Sequence, residues 1–179
     1  MNDLKVIQIL KNDLGFSNSS IEKIKKFNNY LLQYNKNYNL ISKSTENDTW
    51  YRHILDSAQI IKFVDFTKIR NLADFGSGAG FPGLIIALYN ENPTFHVKLY
   101  EKSKVKRDFL KDLKNNLNIK NITVENNVYE KEVLADVIVC RAFKKLDEIL
   151  SISREIVKKP HKLIILKGKN AQSEINNVS

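Results

Sequence analysis

The chain has 179 residues, 42% of them hydrophobic, enough for one domain with a sizeable core and too few for two ordinary domains. A single cysteine, Cys140, excludes an intramolecular disulfide and a cysteine-built metal site, and three scattered histidines lack ligand spacing, so no metal is expected. No stretch approaches the roughly 18 apolar residues of a membrane span, the N-terminus lacks a signal-peptide pattern, and 29 Lys and Arg against 20 Asp and Glu give a net charge of +9. That charge favours polyanions such as nucleic acid, although a composition rich in Lys, Asn and Ile throughout also accounts for it. A cytoplasmic monomer is expected.

Residues 2–14 carry Leu4, Ile7, Leu10 and Leu14 at helical spacing, and Gly15 closes the pattern. Ser19-Ser-Ile-Glu22 reads as a capping box opening a second helix, with Ile21, Ile24, Phe27, Tyr30, Leu31 and Tyr34 on its inner side as core. Polar residues from Asn35 to Ser44 break the periodicity, and Asn47-Asp-Thr49 then supplies caps for a third helix from Trp50 to about Phe63. Residues 1–66 therefore form a helical N-terminal extension expected to pack on a core of residues 67–179. From Arg70 onward, apolar runs at 71–75, 95–100, 122–125, 135–140 and 162–166 alternate with helical patterns at about 81–89, 104–117 and 146–158. That alternation predicts a doubly wound, Rossmann-like α/β sheet with parallel strands.

The first strand meets its helix through Asn71-Leu-Ala-Asp-Phe-Gly-Ser-Gly-Ala-Gly-Phe-Pro-Gly83. Gly76, Gly78 and Gly80 let a ligand approach the main chain, Pro82 suits a first helical turn, and the helix N-terminus would aim N–H groups at that ligand. Two cofactors compete here. Gly78-Ala-Gly-Phe-Pro-Gly83 fits the dinucleotide pattern, whereas Asp74-Phe-Gly-Ser-Gly-Ala-Gly80 fits that of S-adenosylmethionine-dependent methyltransferases. Glu101, ending the second apolar run, suits the ribose hydroxyls of either. Asp74 favours the methyltransferase, because an acid there repels a pyrophosphate and suits a cationic amino acid tail.

Trp50-Tyr-Arg-His-Ile-Leu-Asp-Ser57 gathers Arg52, His53, Asp56 and Ser57, with positions 52 and 56 one helical turn apart. Arg52 and Asp56 read either as a surface ion pair or as site residues, and His53 either as a packed ring or a catalytic one. Arg141 directly follows an apolar run, at the carboxyl end of an expected central strand, where a guanidinium can clamp a carboxylate or phosphate or stack on a base. Lys102, Lys104, Lys106 and Arg107 open a helix whose dipole disfavours cations, so they suit either phosphate or solvent.

Tyr38-Asn-Leu-Ile41, Arg52-His-Ile-Leu-Asp-Ser57, Asp74 to Gly83, Lys106-Arg-Asp-Phe-Leu110, Cys140-Arg-Ala-Phe143 and Leu166-Lys-Gly168 together resemble, in order, the bacterial small-subunit ribosomal RNA guanine-N7 methyltransferases, the glucose-inhibited division protein B family. The resemblance implies a class I fold that uses S-adenosyl-L-methionine to methylate N7 of a guanine in the 530 loop of 16S ribosomal RNA, free or in the small subunit. It implies that Gly76 and Phe81 line the cofactor within the loop of Gly78 and Gly80, that Glu101 holds the ribose, and that Val128 and Tyr129 flank the adenine. The family commonly has an acid where Tyr129 stands. Arg141 would meet both cofactor and target base, with Arg52, His53 and Asp56 completing the catalytic set. The family also continues past Leu166-Lys-Gly168 as a helix and a closing hairpin, so the last strands of the sheet are expected to be missing. An NAD-dependent oxidoreductase and a non-catalytic RNA-binding module are the alternatives.

Overall fold

Five apolar runs become five parallel strands: β1 (Asn71–Phe75), β2 (His96–Tyr100), β3 (Ile122–Glu125), β4 (Val137–Arg141) and β5 (Lys162–Leu166), in the order β3-β2-β1-β4-β5. This computed structural model describes residues 2–90, 92–129 and 132–177; Met1 and Ser179, which bound the two expected segments, lie outside the described residues. Strands covered on both faces need consecutive apolar side chains, and Leu72, Ala73 and Phe75 of β1 and Val137 to Cys140 of β4 are all buried. Leu72 pairs with Val137 and Phe75 with Cys140, while the other side of β1 runs from Asn71↔His96 to Phe75↔Tyr100. β5 pairs with β4, ends the strand order, and leaves Leu163 to Leu166 only half-buried.

The helices are α1 (Asp3–Asn12), α2 (Asn18–Asn35), α3 (Asp56–Ala58), α4 (Gly83–Tyr89), α5 (Lys104–Asn116), α6 (Leu146–Ile156) and α7 (Ala171–Asn176). One apolar cluster joins α1 and α2 to α4 and α5; another joins α6 to the opposite side of the sheet through Ala73, Phe75, Ile138, Ile149 and Ile152. Phe27 of α2 is fully buried, with its ring centroid 5.3 Å from Phe81 and 6.5 Å from Phe109, so the extension and the sheet share one core.

Three local expectations are corrected. The cap of α2 is Ser17, whose Oγ accepts from the Ser20 amide at 3.0 Å. Because the Ile21 amide already bonds the Ser17 carbonyl, the helix has begun before Ser19 can cap it. The third helix is a composite of a π-helical Trp50–Leu55, α3 and a 3-10 turn Gln59–Phe63, and Thr49 makes no side-chain cap bond. Since π turns close i→i+5 bonds, residues four apart are offset, and no ion pair joins Arg52 to Asp56 among the described residues.

Asp74 also departs from expectation. It is fully buried in β1, and its Oδ2 accepts the Gly83 amide at 2.8 Å. The carboxylate is thus not presented to a cationic tail, and the first amide of α4 bonds inside the protein. Burial pushes the Asp74 pKa up to about 7. A Cβ on Gly83 would lie 2.7 Å from Asp74 Cβ, Asp74 Oδ2 and Leu99 Cδ2. Gly83→Ala is therefore expected to lower stability by about 1–3 kcal/mol, read as a lower urea midpoint at unchanged m-value; a wild-type midpoint would show that β1 and α4 part easily.

Candidate functional site

The strand order reverses between β1 and β4, and a cleft of about 710 Å³ opens over the carboxyl ends of β1 to β4. The segments following those four strands line it. Gly76 and Gly78 have φ of 74° and 56°, in the region where side chains are strained. A Cβ at Gly76 would lie 2.5 Å from Phe143 Cδ2, whereas at Gly78 nothing comes closer than 4.0 Å, so the approach to Gly78 is open. Gly80 does not line the cleft. Its φ of 105° and the 2.9 Å distance from a Cβ to Leu84 Cδ2 make it a packing glycine.

Glu101, directly after β2, is buried to 8% exposure at the cleft floor. Its Oε2 accepts the Gly78 amide at 2.8 Å and its Oε1 the Ser103 amide at 2.7 Å, while Arg107 Nη1 donates to the Glu101 carbonyl at 2.9 Å. Each carboxylate oxygen keeps a further lone pair, so the pair can still receive the hydroxyls of a ribose. Beyond β3, Val128 is buried and Tyr129 is 50% exposed, giving an apolar slot beside Asn126 and Asn127. Leu40, Ile41 and His53 of the extension close the opposite wall. Of the cations in this lining, Arg141 is paired with Asp56 and Lys144 with Glu148, while Lys102 and Lys106 stand at the cleft with Glu101.

Arg141 ends β4 and is the hub of the polar network. Its Nη1 donates to the Arg52 carbonyl at 3.1 Å and to Asp56 Oδ2 at 3.2 Å, and its Nη2 donates to His53 Nδ1 at 2.8 Å. Phe81, almost fully buried, underlies both groups: the guanidinium carbon lies 5.1 Å from its ring centroid and the His53 ring stacks at 5.1 Å and 25°. Because Nδ1 accepts from Arg141, Nε2 carries the ring proton and donates to Thr45 Oγ1 at 2.8 Å; that hydroxyl donates in turn to the Ser42 carbonyl at 2.8 Å. Both imidazole nitrogens are committed to the protein. Burial, then the Arg141 charge, pull the His53 pKa down to about 4.

A second cleft of about 650 Å³ lies across this network, lined by Thr45, Tyr51, Arg52, Asp56 and Gln59 with Leu166 to Gly168. His53, Arg141 and Ala142 line both clefts and form the wall between them. Of the residues singled out from sequence, Gly76, Gly78, Phe81, Glu101, Val128, Tyr129, His53 and Arg141 meet in the first cleft, and Arg52 and Asp56 lie in the second. Thr45 and Lys144 were not singled out, and Phe143 entered only as the end of Cys140-Arg-Ala-Phe143. Thr45 lies in a polar stretch with no periodicity, while Phe143 and Lys144 were signalled by their position after β4.

A parallel sheet with a glycine loop after β1, a buried carboxylate after β2 and a cleft at the switch point defines a Rossmann-like methyltransferase fold. A solved chain, StiE O-MT residues 942–1257, shares that fold with a TM-score of 0.53 and 18% identity, covering 87% of this chain and 65% of that one. The profile of the rRNA small subunit methyltransferase G family matches residues 20–179. Ribosomal RNA small subunit methyltransferase G of Rickettsia felis is 38% identical over 156 residues, covering 87% of this chain and 78% of the relative. The protein of the same name from Bartonella tribocorum is 31% identical, covering 98% and 83%. The chain belongs to the rRNA small subunit methyltransferase G family. Its family is one of methyltransferases, which sets aside the oxidoreductase and the non-catalytic RNA-binding module.

The lowered pKa predicts how His53 titrates. Kept neutral by burial and Arg141, it contributes stability above its ordinary pKa of 6.5 that is lost as pH falls toward about 4. Its imidazole NMR signals should stay those of the neutral ring from pH 8 to pH 5, and Arg141→Ala should raise the midpoint. A wild-type midpoint near 6.5 would refute the network.

Proposed function

We propose that the chain transfers a methyl group from S-adenosylmethionine to N7 of a guanine in 16S ribosomal RNA, in the cytoplasm, with the first cleft holding the cofactor and the second the target base. The observation that carries this reading is the shared wall: Arg141 borders both clefts and is fixed by three partners. The cofactor fits the residues present. Glu101 has lone pairs for the ribose, Val128 and Tyr129 offer a slot for the adenine, and Gly78 leaves the backbone open beside them. What the cofactor supplies when bound is an electrophilic methyl group on a sulfonium.

Guanine N7 has an in-plane lone pair and no proton, so its attack requires no general base. The commitment of both His53 nitrogens agrees with that: His53 holds Arg141 in place. Arg141 then orients the base or its phosphate, and holding two reactants in line can supply on the order of 7 kcal/mol of the barrier. The methylated base gains positive charge, and Asp56, 43% exposed in the second cleft, is placed to stabilise it with Arg52 beside it for phosphate. Because N7 of a paired guanine faces a groove that side chains cannot enter, the target is read as single-stranded or splayed out.

Labelled S-adenosylmethionine incubated with small subunits lacking the modification should label one guanine, mapped by cleavage at N7-methylguanine. Label on another atom or on protein would overturn the assignment. Glu101→Gln should weaken S-adenosylhomocysteine binding about 10- to 100-fold, the loss of about 1.5–3 kcal/mol of charged hydrogen bonding; unchanged affinity would remove Glu101 from the cofactor site.

A further inference from the structure

We propose that Tyr38 is a stacking platform for an unpaired base of the RNA substrate, outside the two clefts and beside the first; this rests on the RNA-methylating function proposed above. The aromatic residues of α2 divide by position. Tyr30 stacks on buried Phe109 at 5.7 Å and 20°, Tyr34 lies 5.0 Å from Tyr30, and Tyr38, just past the helix, lies 5.7 Å from Tyr34. This ladder climbs from the core to the surface and ends on a ring that is 47% exposed. The core explains the first two rungs, which are half-buried, and does not explain the third.

The turn that presents Tyr38 is pinned. Asn35 is buried, and its Oδ1 accepts the Leu40 amide at 2.8 Å and the Ile41 amide at 2.9 Å, while its Nδ2 donates to Glu46. The Tyr38 amide donates to the Tyr34 carbonyl at 3.0 Å, and the Tyr34 hydroxyl to Asp112 Oδ2 at 2.7 Å. An aromatic ring held in place before binding gives up little conformational freedom when a base stacks on it. The same pins set Leu40 and Ile41 into the wall of the first cleft, two and three residues from Tyr38.

The surrounding charge selects the partner. Lys36 at the end of α2 and Lys43 at the start of the 3-10 turn Lys43–Asp48 are exposed on either side of Tyr38, and Lys102 and Lys106 line the adjoining cleft; the nearby carboxylates Glu46 and Asp112 are taken up by Asn35 and the Tyr34 hydroxyl. A stacking ring among lysines is how single-stranded nucleic acid is held without sequence preference: lysines track phosphates and the ring takes a base face. The occupant is therefore a nucleotide flanking the target guanine.

Steady-state methylation of small subunits by Tyr38→Ala should show kcat/KM reduced about tenfold, carried by KM for the RNA substrate, with S-adenosylhomocysteine affinity at the wild-type value. Tyr38→Trp should restore KM. An unchanged KM in Tyr38→Ala, or an equal loss of S-adenosylhomocysteine affinity, would overturn the platform. A second arm is independent of methyl transfer: fluorescence of the Tyr38→Trp variant should be quenched by a single-stranded 530-loop oligonucleotide, with wild type, whose Trp50 is buried, as the reference. Absence of quenching refutes the platform even if methylation proceeds. Quenching without methylation by the wild type upholds it and refutes the proposed transfer to 16S guanine N7.

Discussion

The guanidinium of Arg141 joins the end of β4 to the helical segment that precedes the sheet, and both clefts depend on that junction. Its partners, Arg52, His53 and Asp56, lie 85 to 89 residues away in sequence. A planar cation with five donors can engage a carbonyl, a carboxylate and an imidazole at once and still lie over a phenyl ring; an ammonium has neither the fork nor the flat face. Because Arg141 donates to His53 Nδ1, it also sets the tautomer that lets the ring donate to Thr45. The chain Arg141–His53–Thr45–Ser42 thus links the strand end to the 3-10 turn Lys43–Asp48 by hydrogen bonds of 2.8 Å.

Two carboxylates near the glycine loop have opposite fates. Asp74 points into the core and stitches β1 to α4 through the Gly83 amide, at the cost of desolvating its carboxylate. Glu101 reaches the cleft and ties the loop to β2 through Gly78 and Ser103. The glycines divide in the same way. Gly76 and Gly78 line the cleft, whereas Gly80 and Gly83 lie behind it; Gly76, Gly80 and Gly83 are small because Phe143, Leu84, Leu99 and Asp74 occupy the space a Cβ would need. The motif is thus half ligand loop and half packing joint.

Much of this was legible in the sequence, and the reason is local. Apolar runs at 71–75, 122–125 and 162–166 coincide with strands; burial on both faces demands the run in central β1, while the edge strands β3 and β5 are apolar though only partly buried, and alternation with helical patterns leaves a parallel sheet as the economical topology. The cleft residues after β1 and β2 were legible because a strand end and a glycine turn fix where they stand. What the sequence did not disclose is long-range or non-periodic. A 3.6-residue period pairs Arg52 with Asp56; the π-helical turn and Arg141 pair Asp56 elsewhere. Asp74 carries the same letter whether it faces a ligand or the core, and only packing against Gly83 decides. Thr45 had no signal, since its role exists only once His53 is fixed.

The account requires that Arg141 act through its geometry as well as its charge. Single-turnover methyl transfer to small subunits by Arg141→Lys, compared with wild type at matched folded fraction, tests this directly. The account predicts a rate lower by about 10²-fold or more, since one ammonium cannot make the three donations that hold the Arg141 fork against Arg52, Asp56 and His53. A rate within a few-fold of wild type would contradict it and reduce Arg141 to a structural cation.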